Sequence, residues 1–179
     1  TLKNLDPYAV ADMAAAERDS ALRKDVNALW DPSLDWKAID WLRSITKLPV
    51  VLKGILTGDD ARLAAEHGAA GVIVSNHGGR QLDGSVSTAY ALREVVAAAG
   101  DRVEVLVDGG IRRGWQVVAA LAMGAKAVLI GRPYLWGLTV DGEEGVRRVL
   151  DDFRNEVVLA MALCGRVRVS DIDGALVAT

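Results

Sequence analysis

Four short apolar runs punctuate this chain of 179 residues: Leu48-Pro49-Val50-Val51-Leu52, Gly71-Val72-Ile73-Val74, Val103-Glu104-Val105-Leu106-Val107 and Ala127-Val128-Leu129-Ile130. Each is strand-length, rich in β-branched residues and almost wholly apolar. A strand with one wet face alternates polar and apolar residues. These do not, so they are predicted to lie in a parallel sheet covered on both faces. Parallel strands need crossover connections, and the segments between the runs supply them. Residues 59–67, 87–99 and 113–123 carry apolar side chains three and four apart, as Val117, Ala120 and Leu121 do, and predict helices. Gly68, Gly100 and Gly124 stand where those helices should stop. A longer helix is predicted over about residues 143–163.

An internal repeat narrows the choice of α/β fold. Gly68-Ala69-Ala70-Gly71-Val72-Ile73-Val74 matches Gly124-Ala125-Lys126-Ala127-Val128-Leu129-Ile130. At the same offset Gly54-Ile55 matches Gly110-Ile111, and Ala64 matches Ala120. Repeated βα units that all do the same job belong to closed barrels. A doubly wound sheet reverses direction and carries a G-x-G-x-x-G turn after its first strand, which is not seen in this chain. The predicted fold is therefore the C-terminal half, four βα units, of a TIM (β/α)8 barrel. Eight strands close such a barrel. Either a second chain supplies the rest, or a comparable stretch precedes Thr1; a chain that opens on Thr rather than Met fits trimming.

Residues 1–35 read differently. Pro7, several alanines and the mixed-charge run Glu17, Arg18, Asp19, Arg23, Lys24 and Asp25 predict a surface helix or an excursion loop. Asp31-Pro32-Ser33 then predicts a turn, with Trp36, Ile39, Leu42 and Arg43 on the next amphipathic face. The barrel portion is predicted over residues 36–179.

Composition excludes several classes of function. The net charge of −3 argues against nucleic acid as an electrostatic partner. A single cysteine, Cys164, allows no disulfide within the chain and fits a reducing compartment. No apolar run is long enough to span a bilayer, and no leader pattern follows Thr1. No metal site is read from the residues.

The polar chemistry falls where the strands end. The first run ends at Lys53, the second at Ser75-Asn76 before His77, the third at Asp108-Gly109-Gly110 and the fourth at Gly131-Arg132. In a parallel barrel all carboxyl ends share one rim, and that rim carries the active site. His77 and Arg80 share one glycine-loosened loop, a proton acceptor beside a fixed cation. Asp108-Gly109-Gly110-Ile111-Arg112-Arg113-Gly114 and Gly131-Arg132-Pro133 are strand-to-helix junctions suited to an anion, through backbone N–H groups, the helix dipole and full cationic charge. A cofactor with a terminal phosphate is the inferred ligand.

Singly, each segment has an ordinary structural reading. Lys53 suits a solvated strand end, His77 a loop histidine and Asp108-Gly109-Gly110 a tight turn. These weaken together, because four separate strand ends would have to be polar by accident. His67 is read as a helix-end cation, Cys164 as core, and Trp30, Trp36, Trp41, Trp115 and Trp136 as packing.

At these residues the sequence resembles the FMN-dependent α-hydroxy acid oxidases and dehydrogenases. The resemblance is carried by Leu48-Pro49-Val50-Val51-Leu52-Lys53-Gly54, by Ser75-Asn76-His77-Gly78-Gly79-Arg80-Gln81-Leu82-Asp83, and by the segments from Asp108 to Gly114 and Gly131 to Pro133. It runs from about Asp31 to Ile172 and covers the last four strands of the family's eight. It implies FMN as cofactor and oxidation of a 2-hydroxy acid to a 2-oxo acid. His77 is then the catalytic base and Arg80 the substrate-carboxylate anchor. Lys53 is the cation beside the flavin N1–C2=O edge. Ser75 and Asp108 contact the flavin, Asp108 at the ribityl hydroxyls, and Gly110, Arg112, Gly131 and Arg132 form the phosphate cradle, with Gly109 and His77 also beside the cofactor.

The same resemblance implies oxygen, a quinone or a cytochrome as electron acceptor. It also implies a homo-oligomer, commonly a tetramer, and the first half of the barrel as an obligatory complement. A cytoplasmic location is the expectation, with peripheral membrane attachment through the long loop after strand four left open. Two other readings stand beside it: a non-catalytic half-barrel that holds FMN or another phosphate ligand, and another FMN or phosphate-binding barrel such as a type 2 isomerase.

Overall fold

The structure is a computed structural model that describes residue 31 and residues 33–178. Trp36–Thr179 form one unit, and Thr1–Asp35 a separate one of which only residues 31 and 33–35 are described. The surface helix or loop predicted over residues 1–35 thus lies almost wholly outside the described residues. The predicted turn is present. Asp31 Oδ1 accepts the Ser33 hydroxyl at 2.6 Å and the Ser33 backbone N–H at 2.9 Å. Those two bonds hold the Asp31 carboxyl below its ordinary pKa range.

The elements in chain order are α1 (Lys37–Ile45), β1 (Val51–Ile55), α2 (Gly58–Glu66), β2 (Gly71–Val74), α3 (Thr88–Ala99), β3 (Glu104–Val107), α4 (Gly114–Ala122), β4 (Ala127–Val128) and α5 (Arg132–Leu163). Two 3-10 turns, Val169–Asp171 and Gly174–Leu176, follow. The four strands form one sheet in the order β1-β2-β3-β4, and every pairing is parallel. The order never reverses, so the sheet grows one βα unit at a time in a single direction. That is the partial barrel predicted from the repeat.

Register separates the two faces. Val72 pairs with Val105, and Val74 with Val107, on the face beneath the helices. These valines, with Leu92 and Val95 of α3, are essentially inaccessible to water. Each such side chain contributes about 1.5–3 kcal/mol on leaving water. Lys53, Ile73, Leu106 and Ala127 share the other face through the same register. That face is only partly covered: Lys53 and Ala127 are exposed, and Ile73 and Leu106 half-buried. The expectation of burial on both faces is therefore corrected to one. Apolar composition alone does not distinguish a face covered within the chain from one that this chain leaves open.

Strand boundaries also move. β1 begins at Val51, not Leu48, which is 75% exposed; Pro49 has no N–H to give a ladder. Lys53 lies inside β1 rather than at its end. Its partner is Ile73, whereas Ile55 pairs with Val74, so Gly54 is the extra residue of a bulge. The last helix is longer than predicted. It starts at Arg132, with Pro133 in the first turn, and breaks at Asp141 and Gly142 before continuing to Leu163. The two arms meet at Gly137 and Gly145, where a Cβ on either glycine would fall within 2.4 Å of the other's backbone. Of the predicted stop glycines, Gly68 and Gly124 are left-handed, while Gly100 is right-handed at φ −68°.

The repeat reaches further than the sequence match. Gly58 opens α2 and Gly114 opens α4, again 56 residues apart (114 − 58). The Gly58 N–H donates to Glu94 Oε1 of α3 at 2.7 Å, and the Gly114 N–H to Glu156 Oε2 of α5 at 2.6 Å. Each helix thus has its first orphan amide satisfied by a carboxylate from the helix after it. Both glycines permit close approach. An added Cβ at Gly58 would meet Ala98 Cβ at 3.0 Å; at Gly114 it would meet the Val157 backbone nitrogen at 2.5 Å. α2 therefore locks to α3, and α4 to α5. Between α3 and α4 lies instead an apolar cavity of 420 Å3, walled by Leu92, Ile111, Trp115, Ala119 and Met123 among others.

Several minor assignments are corrected. Cys164 is exposed beyond the end of α5, not in the core. Trp41, Trp115 and Trp136 are each about half or more exposed, and Trp36 alone of the described tryptophans packs on the core. His67 caps α2, stacks on Trp36 at 6.0 Å and lies 3.3 Å from Asp40 Oδ2, a structural role.

Candidate functional site

Three side chains on the open face form the centre of the site. Lys53 reaches up from β1. Ser75 and Asp108 follow β2 and β3 at equivalent heights. Lys53 Nζ donates to Ser75 Oγ at 2.8 Å and forms an ion pair with Asp108 Oδ2 at 2.9 Å. Ser75 is 2% exposed, and its Oγ also accepts the His77 backbone N–H at 3.1 Å. The second carboxylate oxygen, Asp108 Oδ1, is buried with no hydrogen-bond partner. A buried acceptor left unpaired costs about 1–3 kcal/mol, so this atom is poised to receive a hydroxyl or amide from a ligand.

Around this centre opens a cavity of 340 Å3. Its walls include Lys53, His77, Arg80, Asp108, Gly109, Gly110, Arg112, Gly131 and Arg132, so the residues singled out from four strand ends converge on one space. Ser75 stands behind the wall and supports Lys53 rather than lining that cavity. Four cationic side chains face one carboxylate there, in a chain whose net charge is −3. The cavity is locally suited to an anion although the protein is not.

The two neighbouring arginines after β3 part company. Arg113 turns outward and its Nε donates to Glu156 Oε1 at 2.6 Å. Arg112 keeps to the cavity, with its guanidinium 5.5 Å from the ring centroid of Trp136. Gln116 Oε1 accepts the backbone N–H of both Arg112 and Arg113, at 2.7 and 3.1 Å, and fixes the turn into α4. Gly110 and Gly131 have no heavy atom within 4 Å of where a Cβ would stand. Their backbones are bare toward the cavity, as close approach to a phosphate requires. Arg132 Nη2 donates to the Gly78 carbonyl at 2.8 Å, tying the end of β4 to the histidine loop.

That loop is unusual in its backbone. His77 has φ 56°, and Gly78 and Gly79 follow at 68° and 71°. Three left-handed residues in succession turn the chain sharply after β2. A non-glycine held there costs about 1–2 kcal/mol, and such outliers gather at functional sites. His77 and Arg80 are both exposed on this loop and both reach the cavity.

Two contributors were not singled out from the sequence. Thr88, 4% exposed at the start of α3, donates its hydroxyl to the Gly109 carbonyl at 3.2 Å. Asn76 bonds across the histidine loop. A polar residue beside a left-handed run is a signal for Asn76; Thr88 carries none, because a helix-start threonine is ordinary.

Residues 3–179 match the family described as FMN-dependent dehydrogenase. A peroxisomal (S)-2-hydroxy-acid oxidase of Oryza sativa subsp. japonica is 51% identical over 98% of this chain and 48% of its own length. The L-lactate oxidase of a Nostoc species is 49% identical over 96% of this chain and 47% of its own. A crystal structure of mandelate oxidase with (S)-4-hydroxymandelic acid superposes with a TM-score of 0.74 and 52% identity, over 76% of this chain and 39% of that one. The chain spans about half the length of the curated relatives it matches. Among the described residues no helix is long and apolar enough to cross a membrane.

Proposed function

Since this chain belongs to the FMN-dependent dehydrogenase family, we propose that, joined to the complementary half of the barrel, it oxidises a small 2-hydroxy acid to the 2-oxo acid. The observation that carries the reading is the cavity in which Lys53, His77, Arg80, Asp108, Arg112 and Arg132 meet. FMN fits the donors present. Asp108 Oδ1 is an unpaired acceptor for a ribityl hydroxyl, and the bare backbones of Gly110 and Gly131 with Arg112 and Arg132 suit its phosphate. When bound, FMN supplies the two-electron acceptor that no side chain of the cavity offers.

The remaining chemistry belongs to the protein. Arg80 holds the substrate carboxylate through two parallel N–H donors. An imidazole nitrogen of His77 takes up the proton that leaves as the hydroxyl carbon is oxidised. Lys53 brings a fixed cation, held on Ser75 and Asp108, to the wall where negative charge develops. Ser75 has a double task, since the oxygen that steadies Lys53 also accepts the amide of His77.

Relatives named as oxidases favour oxygen as the final acceptor, and one of them named as peroxisomal leaves the cytoplasmic expectation without support from that side. The open sheet face favours a second reading, in which the chain alone holds FMN without turning over. Anaerobic mixing of the flavin-loaded protein, joined to the complementary half of the barrel, with glycolate, lactate and mandelate separates the two readings: bleaching of the flavin band is expected with at least one of them, and no bleaching favours the second. His77→Ala should keep the bound flavin yet slow its reduction by about 10²-fold or more. Reduction at the unaltered rate would remove His77 from the mechanism.

A further inference from the structure

The loop bearing His77 and Arg80 hangs from one side chain. Asn76 Oδ1 accepts the Gly79 backbone N–H at 3.2 Å, and Asn76 Nδ2 donates to the Val86 carbonyl at 3.2 Å. The Asn76 carbonyl accepts the same Gly79 N–H at 3.0 Å. The near end of the loop is thereby closed into a turn, and the far end, seven residues further on (86 − 79), is drawn to the same amide. Asn76 Oδ1 also abuts the neighbouring turn, 3.2 Å from where a Cβ on Gly109 would stand.

Something must hold this loop in shape. Its left-handed run includes a non-glycine, His77, which left to itself relaxes to negative φ. Ser75 Oγ fixes the His77 amide and Arg132 fixes the Gly78 carbonyl. Neither reaches beyond Gly78, whereas Arg80 lies past it. Asn76 is the described residue whose side chain bonds to both limbs of the loop.

We propose that Asn76 is a positioning residue for the reaction: its amide sets the aim of His77 through Gly79 and of Arg80 through Val86. It touches neither substrate nor cofactor on this account, and the proposal rests on the roles of His77 and Arg80 given above. The side chain must be an amide of this length. A carboxylate keeps the acceptor and loses the donor, and an apolar isostere loses both. Misplacing a catalytic group by about 1 Å can cost on the order of 10²-fold in rate.

Two variants of the flavin-loaded protein, joined to the complementary half of the barrel, test this. Asn76→Asp retains the Gly79 bond and frees Val86, so KM for the 2-hydroxy acid should rise about tenfold with kcat little changed. Asn76→Leu frees Val86 and leaves the Gly79 N–H only the Asn76 main-chain carbonyl, so kcat should fall by about 10²-fold as well. Flavin content should match wild type in both. Amide hydrogen exchange should quicken at residues 77–86 and stay unchanged in β2 and α3. Wild-type kinetics with wild-type exchange in Asn76→Leu overturns the proposal. So does lowered flavin content or faster exchange throughout, which marks a merely structural residue. If Asn76→Leu does not fold, the KM of Asn76→Asp decides alone, and an unchanged KM overturns the proposal. Failure of the underlying reading is separately visible, because His77→Ala would then reduce flavin normally whatever residues 77–86 do.

Discussion

The first half of the described unit, β1 through α3, and the second, β3 through α5, share a scaffold and differ in freight. Each has a glycine at the start of its first helix, crowded against the next helix and capped by that helix's glutamate. Yet the first half carries Lys53, His77 and Arg80, and the second carries Asp108, Arg112 and Arg132. In the proposed enzyme the first half does chemistry on the substrate and the second grips the cofactor. The scaffold is set by helix-to-helix seams, and the chemistry by the few residues beyond each strand. The two layers can vary independently, which is how one barrel supports different reactions.

The severest test of that division lies on the seam between the halves. Leu92 is 1% exposed and walls the cavity between α3 and α4. Leu92→Ala should cost about 2–5 kcal/mol and lower the melting temperature in one transition. Two separate transitions would make the halves independent modules. The paired glycines give a direct contrast. Gly114→Ala drives a methyl onto α5 backbone and should cost about 1–3 kcal/mol. Gly58→Ala meets nothing closer than Ala98 Cβ at 3.0 Å, and should cost less; equal losses in denaturant titration would deny the difference between the seams. On the functional side, Arg112→Met should weaken FMN retention about tenfold, measured by flavin release on dilution, with the reduction rate of the bound fraction kept. Loss of rate at full occupancy would move Arg112 into the first half's role.

The smallest effect is a pH dependence. The Gly114 N–H, and then Arg113, hold the Glu156 carboxyl below its ordinary value of 4.5. A lowered folded pKa means the stabilising contact is complete above that ordinary value and lost as pH falls through the depressed one. Protection of the Gly114 amide, relative to its intrinsic exchange rate, should therefore fall only as the pH drops through that depressed value. Glu156→Gln should abolish that dependence, and a persisting step would assign it to another carboxylate.

Much of this was legible in the sequence, for reasons that differ by residue. Val72, Val74, Val105 and Val107 announce buried parallel strands because β-branched apolar runs have few other uses. His77, Asp108 and Arg132 were found together because each follows a strand and parallel topology sends such positions to one rim, and Lys53, inside β1, reaches the same space from the open face. The helix over residues 132–140 was hidden by Gly137 and Gly142, which read as loop although one is a packing contact. The glutamate caps were invisible, since Glu94 and Glu156 lie dozens of residues from the amides they bind. The open face could not be read either, because Ile73 and Leu106 are as apolar as the valines opposite.

That uncovered face carries a consequence for how such a polypeptide is made. Among the described strands, β1 and β4 each pair on one side only, and Val51, Ile73 and Leu106 stand beside them with incomplete cover. A sheet of this kind offers bare ladder groups next to greasy side chains, the combination that templates aggregation. Produced without its complement it should enter inclusion bodies, and co-expression with the matching strands, rather than a change of buffer, is the remedy the geometry prescribes.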